Sequence, residues 1–239
     1  IRRPIAGQEQ KLGNHHFLEN IYASRSRDTL QQWLTTPENN AHQADKSFYP
    51  PSLKALTSGI QPRLNPAIKS LLSDIRCLTA ADPRAEVMSE DNFHLTFLAI
   101  TPARYPHFGD VPPSANLIAT FNQTVENRDL TVTDLQLVAL PDQLLLAGIP
   151  DGAAVINRKM FWDVLRASEW QTPLQQRYPG QDAPPEFWHT TLLRYKAEKL
   201  PPRVRDYFIS HSHCRYGAVS GEIRLALATY NWGKVDFLL

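Results

Sequence analysis

The sequence has few cysteines, almost no net charge and no long apolar run, and each shortage excludes a class of protein. Cys77 and Cys214 are too few for a disulfide framework and lack metal-site spacing, so we expect buried free thiols. No run approaches the roughly eighteen consecutive apolar residues of a membrane span. The net charge of +1 lacks the strong basic field typical of proteins that bind long nucleic acids.

The remaining composition is that of an ordinary globular protein. The 239 residues are 42% hydrophobic and 21% charged, which suits one larger domain or two small lobes. A small nucleotide or an RNA end stays possible as a ligand, because it needs only a local basic patch. The first residue is Ile1 rather than Met, so we expect that something preceding it was removed. The expected protein is a cytoplasmic monomer without a membrane partner, and secretion is the alternative.

Two short stretches share one pattern, in which an apolar residue precedes His, any residue, Thr and a further apolar residue. The first is Phe93–Phe97 and the second is Trp188–Leu192. Both lie in apolar runs of strand-like composition. Residues i and i+2 of a strand point to the same side. His94 with Thr96, and His189 with Thr191, are therefore predicted to share a face within each strand.

Such a repeated pair has a definite chemical use. An imidazole titrates near neutral pH, so one ring can take a proton from an attacking hydroxyl or water while the other protonates a leaving oxygen. A threonine hydroxyl can hold a phosphate oxygen. This arrangement suits a phosphodiester centre and requires neither a metal nor a cofactor. A single His-x-Thr is more often structural, but two copies in separate halves of the chain favour a shared site.

The doublet resembles the signature of the two-histidine phosphoesterase superfamily, which includes RNA 2′,3′-cyclic phosphodiesterases. The likeness extends to the polar lead-in at Met88–Asn92 and to Arg194, five places after the second histidine. It runs from about residue 64 to residue 239. The resemblance implies His94 and His189 as catalytic residues, Thr96 and Thr191 as phosphate-binding residues, and a bilobal fold with a shared cleft.

The pattern along the chain predicts an α+β fold in which duplicated sheets flank a central cleft and helices lie outside. We expect an N-terminal extension of unknown role over 1–60 and a bilobal domain over 61–239. Its lobes would span about 61–128 and 129–239, with strands that could be exchanged between them. Asn65 is predicted to cap a helix, and Ile156, Met160 and Val164 are predicted to form the apolar face of a later one.

Four further residues are weaker candidates for substrate binding: Arg194, Tyr195, Trp188 and Tyr105. If His189 points into the cleft, strict alternation places Thr191, Leu193 and Tyr195 on that face and turns Arg194 away unless the strand bulges. Aromatic rings such as Tyr105 could stack on a base.

Three hypotheses follow from the sequence. The first is a metal-independent phosphodiesterase acting on a cyclic phosphate or an unusual linkage in RNA or a nucleotide. The second is a catalytically silent protein that binds a nucleotide or an RNA end. The third is an unrelated metal-dependent hydrolase using some of the eight histidines. Turnover in the presence of a chelator distinguishes them.

Overall fold

A computed structural model describes the backbone of residues 6–38 and 49–239, and the side chains of 14–38 and 49–239. Residues 1–5 and 39–48, which belong to the predicted extension, lie outside the described residues. The helices are α1 (Ala6–Thr35), α2 (Pro66–Leu78), α3 (Ala115–Thr124), α4 (Gly152–Arg166), α5 (Gln171–Arg177) and α6 (Pro202–His211), with a short 3-10 turn at Phe108–Asp110. The strands are β1 (Ala55–Ile60), β2 (Ala85–Val87), β3 (Leu95–Ala99), β4 (Asp129–Leu140), β5 (Gln143–Pro150), β6 (His189–Tyr195), β7 (Val219–Glu222), β8 (Arg224–Ala228) and β9 (Val235–Phe237).

The strands form two antiparallel sheets, which confirms the predicted α+β class. The first sheet has the order β3-β1-β8-β9, and the second has the order β2-β6-β5-β4-β7. Each sheet contains one motif strand, β3 in the first and β6 in the second. The rings of Phe97 and Trp188, one from each motif, lie 6.1 Å apart across the junction of the sheets.

The sheets exchange strands relative to the lobes expected from sequence. β2 leaves the first half of the chain to pair with β6, whereas β8 leaves the second half to pair with β1 and brings β9 with it at the edge of that sheet. β1 also ends at the expected boundary of residue 60 yet lies between β3 and β8. Residues 55–60 are therefore part of a sheet rather than of a separate extension.

The helices agree with the sequence prediction in one case and differ in another. Asn65 caps α2 by accepting a hydrogen bond from the Ile68 N–H at 2.9 Å, as predicted. In α4 the predicted apolar face is wrong, because Ile156 is 62% exposed and Met160 and Val164 are also exposed. The buried face consists instead of Ala154, Arg158, Phe161, Trp162 and Leu165.

The long helix α1 is attached to the second sheet by hydrogen bonds from side chains to backbone groups. Thr29 Oγ1 donates to the Ala139 carbonyl at 2.7 Å. Tyr22 lies directly behind the second motif: its hydroxyl donates to the Gly148 carbonyl at 2.6 Å and accepts the Trp188 N–H at 3.3 Å. These contacts explain how a helix of mainly polar sequence packs on the sheet, and they connect the predicted extension to the strand that carries His189.

Two smaller expectations can be compared with the structure. Cys77 is exposed and Cys214 is half-buried, so the prediction of buried thiols is wrong, although both are free. Cys77 lies on α2 outside its buried stripe, which explains its exposure. Among the helices in the described ranges, none has both the length and the apolar character needed to cross a bilayer.

Gly59 gives a prediction about the first motif strand. A Cβ at this position would lie 2.5 Å from the Leu95 carbonyl oxygen, which belongs to the backbone of β3. Gly59→Ala should therefore lower the free energy of unfolding by about 1–3 kcal/mol, the usual cost of overpacking. Gly152→Ala is the control, since nothing lies within 4 Å of its Cβ position. Urea unfolding of both variants checks this, and an unchanged stability of Gly59→Ala would contradict it.

Tyr22 gives a second prediction. Tyr22→Phe keeps the ring but removes the hydroxyl that joins the Gly148 carbonyl to the Trp188 N–H. Two buried backbone groups then lose a partner, so the free energy of unfolding should fall by about 1–3 kcal/mol. Leu34→Ala on the same helix serves as the control, because Leu34 is 82% exposed. Equal denaturation midpoints for the two variants would show that the Tyr22 hydroxyl does not support the sheet.

Candidate active site

The two motifs meet at one cavity between the sheets. His94 and Thr96 reach it from the first sheet, and His189 and Thr191 reach it from the second. The cavity has a volume of about 620 Å³, within the range of about 300–1,000 Å³ common for ligand pockets. The two histidine–threonine pairs thus line the same space, although they are far apart in sequence.

A β-bulge follows the His-x-Thr pattern in each motif strand. Against β1, β3 contains one extra residue, Phe97, because Ser58 pairs with Leu98 and Gly59 with Thr96. Against β5, β6 contains one extra residue, Leu192. The extra residue is the third after the histidine in both strands. A bulge changes which side chains share a face, and in both motifs this change occurs directly after the threonine.

The bulge in β6 decides which of its side chains line the cavity. Strict alternation predicted that Leu193 and Tyr195 would join His189, with Arg194 turned away. Arg194 lines the cavity instead, because the extra residue shifts the alternation by one. Tyr195 lies outside it, where its hydroxyl donates to Asp82 Oδ2 at 2.6 Å.

The other two weak candidates also lie outside the cavity. Trp188 is buried beneath it, since neighbours on a strand point to opposite sides. Tyr105 is buried beside a separate hollow, and its backbone pairs with Lys54. The structure therefore places Trp188, Tyr105 and Tyr195 outside the cavity lining, and brings Arg194 together with the two histidine–threonine pairs.

The His94 ring is held firmly at one nitrogen. Nδ1 lies 2.9 Å from the Asn92 carbonyl, which can only accept, so Nδ1 carries the proton. The ring also stacks on Trp232, with centroids 4.9 Å apart and planes 11° apart. The pKa of His94 is lowered to about 4, chiefly by burial; the Asn92 carbonyl raises it, and the charges of Arg194 and His189 lower it. The ring is neutral at pH 7, with Nε2 left for a ligand.

The His189 ring has different surroundings. It lies edge-to-face with Phe187 at 5.2 Å, and no hydrogen bond to it is present within 14–38 and 49–239. The pKa of His189 is lowered to about 4, mainly by burial and then by the positive charges of Arg194, Arg158 and Arg177. This imidazole is also neutral at pH 7, and a bound anion would favour its protonation.

Positive charge dominates the cavity lining. Arg158, Arg177 and Arg194 contribute to the wall, and no Asp or Glu does so in the part of the chain that the structure describes. Arg194 lies over the Tyr230 ring at 5.0 Å, and faces Glu86 across the β2–β6 pair. An aromatic face stabilises a guanidinium without neutralising it. The arrangement favours an anionic ligand.

The threonine hydroxyls complete the lining. Neither Thr96 nor Thr191 bonds to another group through its hydroxyl in the described residues. Each can donate to a ligand oxygen. Groups of three or more His, Cys, Asp or Glu that could hold a metal do not occur in the described ranges.

Sequence reasoning missed Arg158 and Arg177. Arg158 is 6% exposed and occupies an apolar-stripe position of α4, between Ala154 and Phe161. An arginine that falls among the apolar residues of a buried helix face indicates a buried functional cation. This signal was missed because the wrong face of α4 was predicted to be the buried one. Arg177 is the last residue of α5, a short helix between α4 and the second motif, and no sequence signal marks it.

Comparisons with known proteins give likenesses of fold. No protein-family model and no curated protein matches the chain. Among solved structures, it is similar to TT0787 of Thermus thermophilus, with 16% identity over 77% of this chain and 95% of that chain, and a TM-score of 0.47. E. coli LigT complexed with 3′-AMP is 16% identical over 77% of this chain and 94% of that chain, with a TM-score of 0.44. A phosphoesterase is 14% identical over 77% and 94%, with a TM-score of 0.43.

Proposed function

We propose that this protein is a phosphodiesterase of the two-histidine type. Its substrate is a cyclic phosphate or a 2′-linked phosphodiester in a small nucleotide or at an RNA end. One observation carries the proposal: two histidine–threonine pairs from different sheets line a single cavity whose charged side chains, among the described residues, are all arginines.

The charge of the cavity supports a phosphate ligand. A phosphodiester carries one negative charge spread over two non-bridging oxygens, and the transition state of its cleavage carries more. The Thr96 and Thr191 hydroxyls are donors for these oxygens, and Arg194 adds a fixed positive charge. A carboxylate in the wall would repel the ligand, and the described lining has none.

The two imidazoles divide the proton transfers. For a 2′,3′-cyclic phosphate, one neutral histidine takes a proton from water as the water oxygen bonds to phosphorus. The other histidine, protonated, gives its proton to the ribose oxygen as the phosphorus–oxygen bond breaks. The product is a phosphate monoester, and one water is consumed. The protons return to their starting positions through solvent.

The surroundings of the rings support an assignment of these roles. The Nδ1–H of His94 donates to the Asn92 carbonyl, and this stabilises a positive charge on the ring. His189 has no such partner among the described residues and lies in the field of three arginines. We therefore assign His94 as the general acid and His189 as the general base.

Aromatic rings near His94 supply a place for a nucleobase. Tyr49 and Tyr230 stack on each other at 5.4 Å, and both line the cavity together with Trp232. A base that stacks against such rings gains about 1–3 kcal/mol without a strict sequence preference. This supports a nucleotide rather than a simple phosphodiester as the substrate.

Substitution of the histidines tests the proposed function. His94→Ala and His189→Ala should each lower kcat for a 2′,3′-cyclic nucleotide by about 10²–10⁴-fold, the usual contribution of a proton-transfer partner. The double variant should lose much less than the product of the single losses. His213→Ala, which changes an exposed histidine, should keep full activity.

Steady-state assays with a chelator present measure these effects. Cyclic nucleotides, RNA ending in a cyclic phosphate and 2′,5′-linked oligoadenylate serve as substrates. Full activity of either histidine variant would contradict the two-histidine mechanism. Loss of wild-type activity on chelation would favour a metal-dependent hydrolase, and tight binding without turnover would favour a silent binding protein.

The lowered pKa values predict an unusual pH dependence. Both free histidines have a pKa of about 4, so the form with one ring protonated becomes scarce as the pH rises above that value. The kcat/KM of a cyclic nucleotide should therefore rise as the pH falls from 7 toward about 5. The bound phosphate raises the pKa of the acid, so the kcat optimum should lie at a higher pH.

The measurement is a pH–rate profile under conditions in which tryptophan fluorescence shows that the protein remains folded. A cyclic phosphate keeps one charge throughout this range, so the change must come from the protein. Each single histidine variant should lose one limb of the profile. A kcat/KM that is constant from pH 8 to pH 5 would show that neither buried ring needs to be protonated.

A further inference from the structure

Arg158 is a buried cation to which the proposed mechanism gives no contact with the reacting phosphate. Its guanidinium lies over the Trp188 ring at 3.7 Å, and Nη2 donates to the Pro185 carbonyl at 2.6 Å. No carboxylate within 14–38 or 49–239 forms an ion pair with it, and the nearby Glu186 is exposed. Burial lowers the pKa of Arg158 to about 10, so it remains charged at pH 7. A buried charge normally has a partner, and this one faces the cavity.

Two further groups lie beside Arg158. Tyr178 is buried in the cavity wall, and its hydroxyl accepts the Ala99 N–H at 3.1 Å. Within the described chain no acceptor takes the hydroxyl proton, so Tyr178 can donate to a ligand. The Arg177 guanidinium lies 4.8 Å from the centre of the Tyr178 ring and also lines the cavity. Two guanidiniums and one hydroxyl donor thus share this part of the wall.

This part of the wall lies on the His189 side of the reaction centre. Arg158 lies over the ring of Trp188, the residue directly before His189. Arg194 lowers the pKa of both histidines, whereas Arg158 and Arg177 lower only that of His189. The opposite side of the cavity is aromatic, with Trp232 stacked on His94. The cavity therefore has an aromatic end beside His94, a centre with the two histidines, and a cationic end that contains Arg158 and Arg177.

We propose that Arg158, Arg177 and Tyr178 form a second anion-binding subsite, which holds a phosphate of the substrate other than the one that reacts. The inference rests on the proposed function and narrows its substrate class to a nucleotide or short oligonucleotide with two phosphate groups. The guanidiniums offer forked donors to phosphate oxygens, and the Tyr178 hydroxyl adds a third donor. The anion supplies the counter-charge that Arg158 lacks in the described protein.

A pair of probes that differ in one phosphate tests the subsite. Isothermal titration calorimetry compares adenosine 3′-monophosphate with adenosine 3′,5′-bisphosphate. The wild type should bind the bisphosphate about tenfold more tightly, as expected for one added charge-assisted contact. Arg177→Gln should remove most of this preference and change the affinity for the monophosphate by no more than about twofold. Arg158→Gln should do the same if it folds, which circular dichroism checks.

Lys159→Gln is the matched control. Lys159 is adjacent to Arg158 in α4, but its side chain is exposed and pairs with Asp163. This variant loses the same charge and should keep the preference for the bisphosphate. A preference that falls equally in Lys159→Gln would show a long-range charge effect and overturn the subsite.

The remaining outcomes separate the subsite from the proposed function. Equal affinity of the wild type for both probes, or a preference that survives Arg177→Gln, would overturn the subsite even if cyclic nucleotides are hydrolysed. A preference that depends on Arg177 in a protein without turnover would support the subsite and contradict the phosphodiesterase. Failure of both probes to bind would overturn the subsite, and the kinetic assays would then decide the function separately.

Discussion

The architecture depends on keeping arginine charge buried at the junction of two sheets with no carboxylate in the described cavity lining. Arg158 lies on Trp188 and Arg194 lies on Tyr230, and the Pro185 carbonyl accepts a hydrogen bond from Arg158. Aromatic faces and carbonyl dipoles stabilise a cation but leave its net charge in place. A carboxylate would stabilise the fold more simply, yet it would compete with an anionic ligand. The aromatic side chains of the cavity therefore stabilise the buried arginines and leave their positive charge available to a ligand.

The two bulges explain how the motif strands direct side chains into the cavity that strict alternation would turn away from it. In a regular strand, a histidine and the residue five places later point to opposite sides. The extra residue at Leu192 brings Arg194 to the side of His189, and the extra residue at Phe97 disturbs β3 at the corresponding place. A bulge at the same position of both motif strands is what the predicted duplication would produce. The bulges belong to the site as much as the side chains do.

The sequence predicted the reactive centre better than the wall around it. The His-x-Thr pairs were detectable because their pattern is local and repeats. The α+β class and the capped helix α2 followed from apolar periodicity. Arg158 was missed because its signal depends on knowing which face of α4 is buried, and that face is set by tertiary packing rather than by the most regular apolar spacing. From the sequence, a bulge was only the condition under which Arg194 would face the cleft. A bulge cannot be located from sequence because the register shift that defines it depends on the partner strand.

Strand exchange has a consequence for the way in which the site assembles. The cavity is lined by Tyr49, by the two motifs and by Trp232, so its wall draws on positions 183 residues apart. Strands β8 and β9 complete the sheet that contains β1 and β3, and Trp232 then closes on His94. Contacts between such distant residues form late and slowly in folding. Neither half of the chain, produced alone, would contain a complete cavity, so the two motifs cannot be separated into independent modules and studied one at a time.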